Sequence, residues 1–464
     1  MKYYLAVDIG ASSGRHMLAH MEDGKMHLEE IYRFENGMTK QGDKLLWDVD
    51  RLFNEIVSGM KRCKEIGKIP TSMSIDTWAV DYVLLDENDE VIGDTYGYRD
   101  HRTDGVDEEV YKIISEPELY ERTGIQKQIF NTIYQLYADK LKRPEILKQA
   151  KTFLMLPDYF QFKLTGVKKS DYTNATSTQL VNPKTKQWDK ELIEKLGIPT
   201  DIFLPLNKPG TVLGNLTDEI KNQVGFDLNV IMCASHDTAS AVMALPCASD
   251  DGLYISSGTW SLMGVELKEA LTDKDSHAAN FTNEGGYEYR FRYLKNIMGL
   301  WMIQSVRHET KDAYSFAELC KLADEACDFP SGVDVNDNCF LSPENMTDEI
   351  KRYCKDSGQQ VPSTIGEIAT VIYHSLAEGY GNTIKEIENN TGKTYDKIYI
   401  IGGGANASFL NGLTAKSTGR IIWAGPTEAT AIGNIMAQMI TDNVFTDLYE
   451  ARKCVKESFE INRY

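Results

Sequence analysis

The chain has 464 residues, a formal net charge of −19 at pH 7, 42 % hydrophobic residues and eight cysteines. That length is enough for two or three domains with ample core. The acidic balance argues against a nucleic-acid surface, which needs a basic footprint, and against an anionic membrane. The sequence opens without a basic, then apolar leader, and no apolar run approaches membrane-spanning length. Cys320, Cys327, Cys339 and Cys354 are spaced too irregularly for a zinc site, and no C-x-x-C pair occurs. A cytoplasmic protein with reduced thiols is expected.

The apolar run Tyr3–Val7 reads as a strand that carries Asp8 to its carboxyl end, followed by the turn Ile9-Gly10-Ala11-Ser12-Ser13-Gly14-Arg15 and a returning strand, His16–Met21. Successive amides and serine hydroxyls in such a turn can wrap a phosphate, and Arg15 adds a fixed positive charge. Taken alone, the pattern is more often a plain tight hairpin. Strands are expected at about 3–9, 14–22 and 26–34, the last two joined by Asp23-Gly24. Asp48 suits the N-cap of a helix whose stripe is Val49, Leu52, Phe53, Ile56, Val57 and Met60. Strands resume at Ser72–Ile75 and Val80–Leu85, and residues 100–200 read as mainly helical.

A buried strand at Asn229–Ala234 leads into Ser235-His236-Asp237-Thr238 and a helix of small residues, Ala239–Leu245. Two more turns resemble the first: Ser256-Ser257-Gly258-Thr259 after the strand Gly252–Ile255, and Gly402-Gly403-Gly404 after Lys397–Ile401. A long helix is expected over roughly 363–389, a strand at Arg420–Trp423 and a helix at Thr427–Ile440. Two α/β lobes, 1–245 and 246–464, with a cleft between them and a hinge near 244–250, are the economical organisation.

These residues resemble the FGGY carbohydrate kinases of the actin-like ATPase superfamily, and most closely the members acting on L-rhamnulose. The resemblance runs nearly the whole chain in order. It is carried by Ala11-Ser12-Ser13-Gly14-Arg15, Ile75-Asp76-Thr77-Trp78, Tyr98-Arg99-Asp100, Asn131–Leu136, Tyr172-Thr173-Asn174-Ala175-Thr176, His236–Val242, Ser256–Gly264, Asn283-Glu284-Gly285-Gly286, Leu294–Trp301 and Ala424-Gly425-Pro426. Two departures stand out: Ala79, where those members usually carry glycine, and Ala405-Asn406-Ala407, where the family often has a more polar stretch.

The resemblance implies two actin-like (ribonuclease H-like) lobes, the first binding sugar and phosphate and the second nucleotide. It implies ATP and Mg²⁺, with L-rhamnulose phosphorylated at its 1-hydroxyl. Asp237 then sits at the proton acceptor's position; by itself an aspartate there would also suit a helix cap. Asp8 would hold Mg²⁺ or its water shell, since that ion takes only one or two carboxylates. Ala11, Ser12, Ser13, Gly14, Arg15, Thr259, Gln304, Gly402 and Gly403 would serve the nucleotide. Thr77, Trp78, Ala79, Asp81, His236, Thr238 and Asn296 would face the sugar. No nucleic-acid or membrane partner is expected, and the assembly would be a monomer or homodimer. Kinase action on another ketose or polyol (fuculose, xylulose, glycerol) is the nearest rival, and a non-catalytic sugar and nucleotide sensor a more distant one.

Overall fold

The computed structural model describes residues 1–464 and divides into two compact units. Neither is contiguous in sequence. The first comprises Met1–Ala244, Leu267–Tyr293 and Thr430–Ser458; the second comprises Leu245–Glu266, Leu294–Ala429 and Phe459–Tyr464. No helix is long and apolar enough to cross a membrane.

The first unit is built on strands β1 (Tyr3–Ile9), β2 (Ser13–Glu22) and β3 (Lys25–Glu35), helix α1 (Val49–Glu65), and strands β4 (Pro70–Thr77), β5 (Val212–Asn215) and β6 (Asn229–Ile231). The sheet order is β5-β6-β4-β1-β2-β3. The β1–β2 and β2–β3 neighbours are antiparallel hairpins, while β4 runs parallel to β1 and β6 parallel to β4. Asp48 Oδ1 caps α1 by accepting the Arg51 N–H at 2.9 Å, and Leu52, Ile56, Val57 and Met60 are buried against the sheet core of Leu5, Val7 and Ile9. Such a stripe, rather than intrinsic propensity, fixes the helix to the sheet. Gly59 lies on that contact because a methyl there would run into the buried His16 ring at 2.3 Å. The helical region forms a second core around Ile133, Tyr134, Phe153, Tyr172 and Trp188. Helix α2 (Asp237–Met243) follows β6 and the extended segment Met232–Ser235.

The second unit repeats the plan. Strands β7 (Leu253–Ser257) and β8 (Trp260–Leu267) form a hairpin, and β9 (Phe291–Met298) belongs to this unit from Leu294 onward. Helix α3 (Trp301–Glu309) comes next, then α4 (Ile365–Thr391), β10 (Lys397–Ile401), α5 (Ser408–Thr418) and β11 (Ile421–Ala424). Strand β10 is parallel to β7 and β11 parallel to β10, so a hairpin with a parallel strand on its other side starts both units. Helix α4 opens on a capping box between Thr364 and Glu367 and ends on Gly392 in the left-handed region. The next helix, α6 (Ala429–Thr441), belongs from Thr430 on to the first unit. There Gln438 Nε2 donates to Leu5 O at 2.9 Å, and Gln438 Oε1 accepts from Ser72 Oγ at 2.7 Å. Gly433 is required where α6 passes α2, since a Cβ would fall 1.8 Å from Ser240 O.

Candidate active site

Strands β1 and β4 end side by side, with Asp8 in register with Asp76 and, across the hairpin, with Arg15. Asp8 is 5 % exposed, and its Oδ2 accepts from Arg15 Nε at 3.0 Å. Asp76 is fully buried and its Oδ2 accepts from Asn434 Nδ2 at 2.6 Å. Loss of water holds the Asp76 carboxyl well above the usual carboxylate range, and the Asp8 charge adds to that.

Strand β4 continues alongside the segment leading to α2: Thr77 N–H donates to Ser235 O at 2.9 Å and Thr77 pairs with His236. His236 is the N-cap residue, so Asp237 is the first residue of α2 and capping does not account for it. Asp237 Oδ1 accepts the Thr238 N–H at 2.6 Å. Its side chain is 28 % exposed, recessed yet reachable. Partial burial, then the Asp8 charge, push this carboxyl up to about 7; the Thr238 N–H and Arg292 pull the other way. A carboxyl with a value near neutral pH can exchange a proton with a hydroxyl under working conditions.

The junction is held from below by the segment Tyr172–Thr176. Fully buried Asp171 accepts from Ser235 N (3.3 Å), Ser235 Oγ (2.9 Å), Asn174 N (3.0 Å) and Thr173 Oγ1. Burial pushes its carboxyl up to about 6.

Beside Asp237 stands a fork of hydrogen bonds from Arg292, on the part of β9 within the first unit. Its guanidinium is fully buried and donates from Nε to Gly285 O (3.0 Å), from Nη1 to Thr238 Oγ1 (2.6 Å) and from Nη2 to His236 Nδ1 (2.9 Å). Nη2 also pairs with Glu284 Oε2 at 2.9 Å. His236 Nε2 is 3.1 Å from Thr238 Oγ1. Burial and the Arg292 charge hold the His236 imidazole well below its usual range, hence neutral.

The loop 77–81 is closely packed. Thr77 is fully buried with its hydroxyl on Trp78 O at 2.8 Å, and Trp78 packs on Trp47 with ring centroids 4.1 Å apart. Asp81 is 1 % exposed and accepts from Trp47 Nε1 (2.6 Å), Trp78 Nε1 (2.9 Å), Tyr98 N (3.1 Å) and Gln135 Nε2 (3.1 Å). The polar groups of Thr77, Trp78 and Asp81 are thus engaged by the protein itself. Ala79 alone in this loop is half-buried rather than buried. Val80 after it has φ 67°, a strained value for a β-branched residue. It is clamped by Ser177 Oγ on its N–H and by Thr132 Oγ1 and Gln135 Nε2 on its carbonyl.

In the first turn, Gly10 N–H donates to Ser13 O at 2.9 Å; Ala11, Ser12, Ser13 and Arg15 reach solvent. Gly14 is buried, and its missing Cβ is filled by the Phe34 ring, 2.1 Å from where that atom would lie. The absence of a side chain at Gly14 thus makes room for the Phe34 ring. In the second unit, Thr259 is exposed at the tip of the β7–β8 turn, where Gly258 N–H donates to Trp260 O at 2.9 Å. The start of α3, which carries half-buried Gln304, is tied to this turn: Leu300 N–H donates to Gly258 O (3.1 Å) and Trp301 N–H to Thr259 O (3.0 Å). Gly299 permits that approach, since a Cβ would lie 2.6 Å from the Trp260 carbonyl carbon. Of the three glycines after β10, Gly402 adopts φ 80° and Gly404 makes room for the Ser257 hydroxyl. Gly403 is exposed with nothing within 4 Å of its missing Cβ. Asn296 is half-buried on the second-unit part of β9.

Two family models cover most of the chain: the N-terminal domain of the FGGY family of carbohydrate kinases matches residues 3–244, and its C-terminal domain residues 253–441. The chain belongs to the FGGY family of carbohydrate kinases. As an FGGY kinase it is an enzyme that phosphorylates a carbohydrate, with ATP as donor. It is 52 % identical over 464 residues to a rhamnulokinase of Halalkalibacterium halodurans, covering 100 % of this chain and 99 % of the relative. It is also 43 % identical to the rhamnulokinase of Bacillus subtilis, covering 99 % and 94 %. Among solved structures, a gluconate kinase from Lactobacillus acidophilus superposes with TM-score 0.79 at 17 % identity, covering 100 % of this chain and 93 % of that one. Plasmodium falciparum glycerol kinase with ADP does so at 0.80 and 13 %, covering 99 % and 94 %. These establish the two-domain actin-like fold of the FGGY kinases.

Sequence reasoning gave no role to Arg292, Asp76, Asn434, Asp171 or Gly299. The one available signal was an arginine inside the apolar strand segment Phe291-Arg292-Tyr293-Leu294, a charge that a buried strand carries only when paired.

Proposed function

We propose that this FGGY kinase transfers the terminal phosphoryl group of ATP to the 1-hydroxyl of L-rhamnulose, giving L-rhamnulose 1-phosphate and ADP. The sugar assignment is carried by full-length identity of 41–52 % to relatives named rhamnulokinase. The chemistry is carried by the placement of Asp237 at a reachable edge with its carboxyl raised to about 7.

Phosphoryl transfer demands positioning, charge neutralisation and a group to take the hydroxyl proton. Oδ1 of Asp237 is engaged by the Thr238 amide, so Oδ2 is the oxygen that accepts the proton of the sugar's 1-hydroxyl as its oxygen attacks phosphorus. His236 and Thr238, both close to the carboxylate's Oδ1, orient the sugar. Within the first unit the turn bearing Ser12, Ser13 and Arg15 is the phosphate candidate; within the second, Thr259, Gln304, Gly402 and Gly403 are the nucleotide candidates. Exposure of Ser12, Thr259 and Gly403 suits this role.

The residues also fit Mg²⁺. Asp8 has one oxygen on Arg15 and the other without a hydrogen bond, and no cluster of three or more metal-ligating side chains surrounds it. A single carboxylate with waters and phosphate oxygens is how this ion is commonly held. When bound with ATP, it would neutralise phosphate charge.

The reading is tested by a coupled ADP-release assay with Mg-ATP over L-rhamnulose, L-fuculose, D-xylulose and glycerol. L-Rhamnulose should give the highest kcat/KM. Another substrate winning by more than about tenfold overturns the sugar assignment, and no turnover with any of them overturns the kinase reading.

A further inference from the structure

The Arg292 fork constrains protons as well as positions. A guanidinium has five N–H donors and no acceptor. Arg292 Nη2 lies 2.9 Å from His236 Nδ1, so that nitrogen must present its lone pair, and the proton of the neutral ring sits on Nε2. The alternative, a protonated Nδ1 donating to Glu284 Oε2 at 3.5 Å, would set an N–H against the shorter Arg292 contact. The same fork fills Thr238 Oγ1 through Nη1 at 2.6 Å. His236 Nε2–H, 3.1 Å away, then makes Thr238 a double acceptor whose own proton must point elsewhere. His236 Nε2 lies 3.6 Å from Asp237 Oδ1, so this set of donors directly adjoins the carboxylate. Arg292 itself is fully buried, pairs with Glu284 and is tied to Gly285 O, so it cannot swing out to bind the sugar.

We propose that Arg292 is a positioning residue that fixes His236 as the Nε2–H tautomer and Thr238 as an outward hydroxyl donor, so that the sugar oxygen next to the one being phosphorylated is received as a hydrogen-bond acceptor. The proposal rests on the reading of Asp237 as base and of 236–238 as the sugar edge, and it gives that edge a polarity. A carbonyl or hemiketal oxygen at C2 of a ketose satisfies the outward Thr238 hydroxyl through a lone pair. The fork also makes the segment Asn283-Glu284-Gly285-Gly286 part of the sugar edge's support.

The direct test is nitrogen-15 NMR of the full chain labelled at its eight histidines, without sugar or nucleotide, with His236 assigned by its loss in His236→Gln. The expected wild-type spectrum shows His236 with a bare Nδ1 and a protonated Nε2 from pH 6 to 8. In Arg292→Met the Glu284 carboxylate becomes the neighbour of Nδ1, and the proton should move to Nδ1. Arg292→Met/Glu284→Gln removes both buried charges, so that a folded variant remains available. Each Arg292 variant should raise KM for the sugar about 10–100-fold, the size of a lost charge-assisted bond network, with KM for ATP changed less than about threefold. A wild-type His236 protonated at Nδ1 or at both nitrogens overturns the proposal, as does an Arg292→Met protein with tautomer and sugar KM unchanged. Because the spectrum is taken without substrates, it reads the preset ring independently of the kinase assignment, which the sugar panel tests.

Discussion

Two segments flank the end of β4, and both read from sequence as sugar-facing: Thr77–Asp81 and His236–Thr238. The structure separates them. In the first, every strong polar group is turned inward. Asp81 gathers two indole N–H groups, an amide and a glutamine, while Val80 is clamped in a strained backbone. In the second, the protein's own bonds stop short of saturation and leave the Asp237 carboxylate partly open. Burial pushes both carboxyls up, Asp81 to about 6 against its four donors and Asp237 to about 7; only Asp237 keeps an edge that a substrate proton can reach.

The largest expected effect falls on the second segment. Asp237→Asn keeps shape but cannot take a proton, so kcat should drop about 10²–10⁴-fold, with sugar binding retained by calorimetry. The first segment should answer in stability instead: Asp81→Asn sets an amide N–H₂ among four donors and should cost about 2–4 kcal/mol by thermal or urea unfolding, with sugar KM changed less than about threefold. A stable Asp81→Asn protein with a much higher KM would erase the distinction between the segments.

A subtler consequence concerns the stability of Asp237→Asn. The folded carboxyl is pushed up to about 7, above the unfolded value of about 3.9. Between those pH values the folded state binds more protons than the unfolded one, so stability falls as pH rises through the window. At pH 8 the ionised group opposes folding, and allowing for its partial exposure the substitution should stabilise by about 1–2 kcal/mol. Asp81→Asn also removes a carboxyl that burial pushes up to about 6, a gain that the misplaced N–H₂ should outweigh, and a melting comparison at pH 8 reads both. The smallest effect is expected of Ala79→Gly, at the one half-buried position of the first segment: removal of a single methyl should shift sugar kcat/KM by no more than about tenfold.

Much of this was legible in the chain. The β1–β2–β3 meander and α1 follow from unbroken apolar runs, a two-residue turn and a helical stripe, signals that depend only on near neighbours. Asp237 was singled out by the family resemblance; the end of a buried strand at the start of a helix, taken alone, also suited a cap. The internal partners of Asp81 were not legible because an aspartate is exposed by default, and nothing nearby in sequence foretells that Trp47 and Gln135 will meet it. Arg292 and Asn434 act on partners 56 and 358 positions away. Val80 gives no sign of its positive φ, since β-branched residues avoid that region. What is missing from the sequence reading is the pairing of distant polar groups, which only the assembled core specifies.

The central claim, that Asp237 is the base and that its surroundings set its proton affinity, is tested most directly by the pH profile of kcat/KM for L-rhamnulose, wild type beside Asp237→Asn. The wild-type profile should rise with pH through about 7 and level off above it, while the variant should be flat over that limb and about 10²–10⁴-fold lower at pH 8. A variant that keeps the same limb at near wild-type rate would contradict the account.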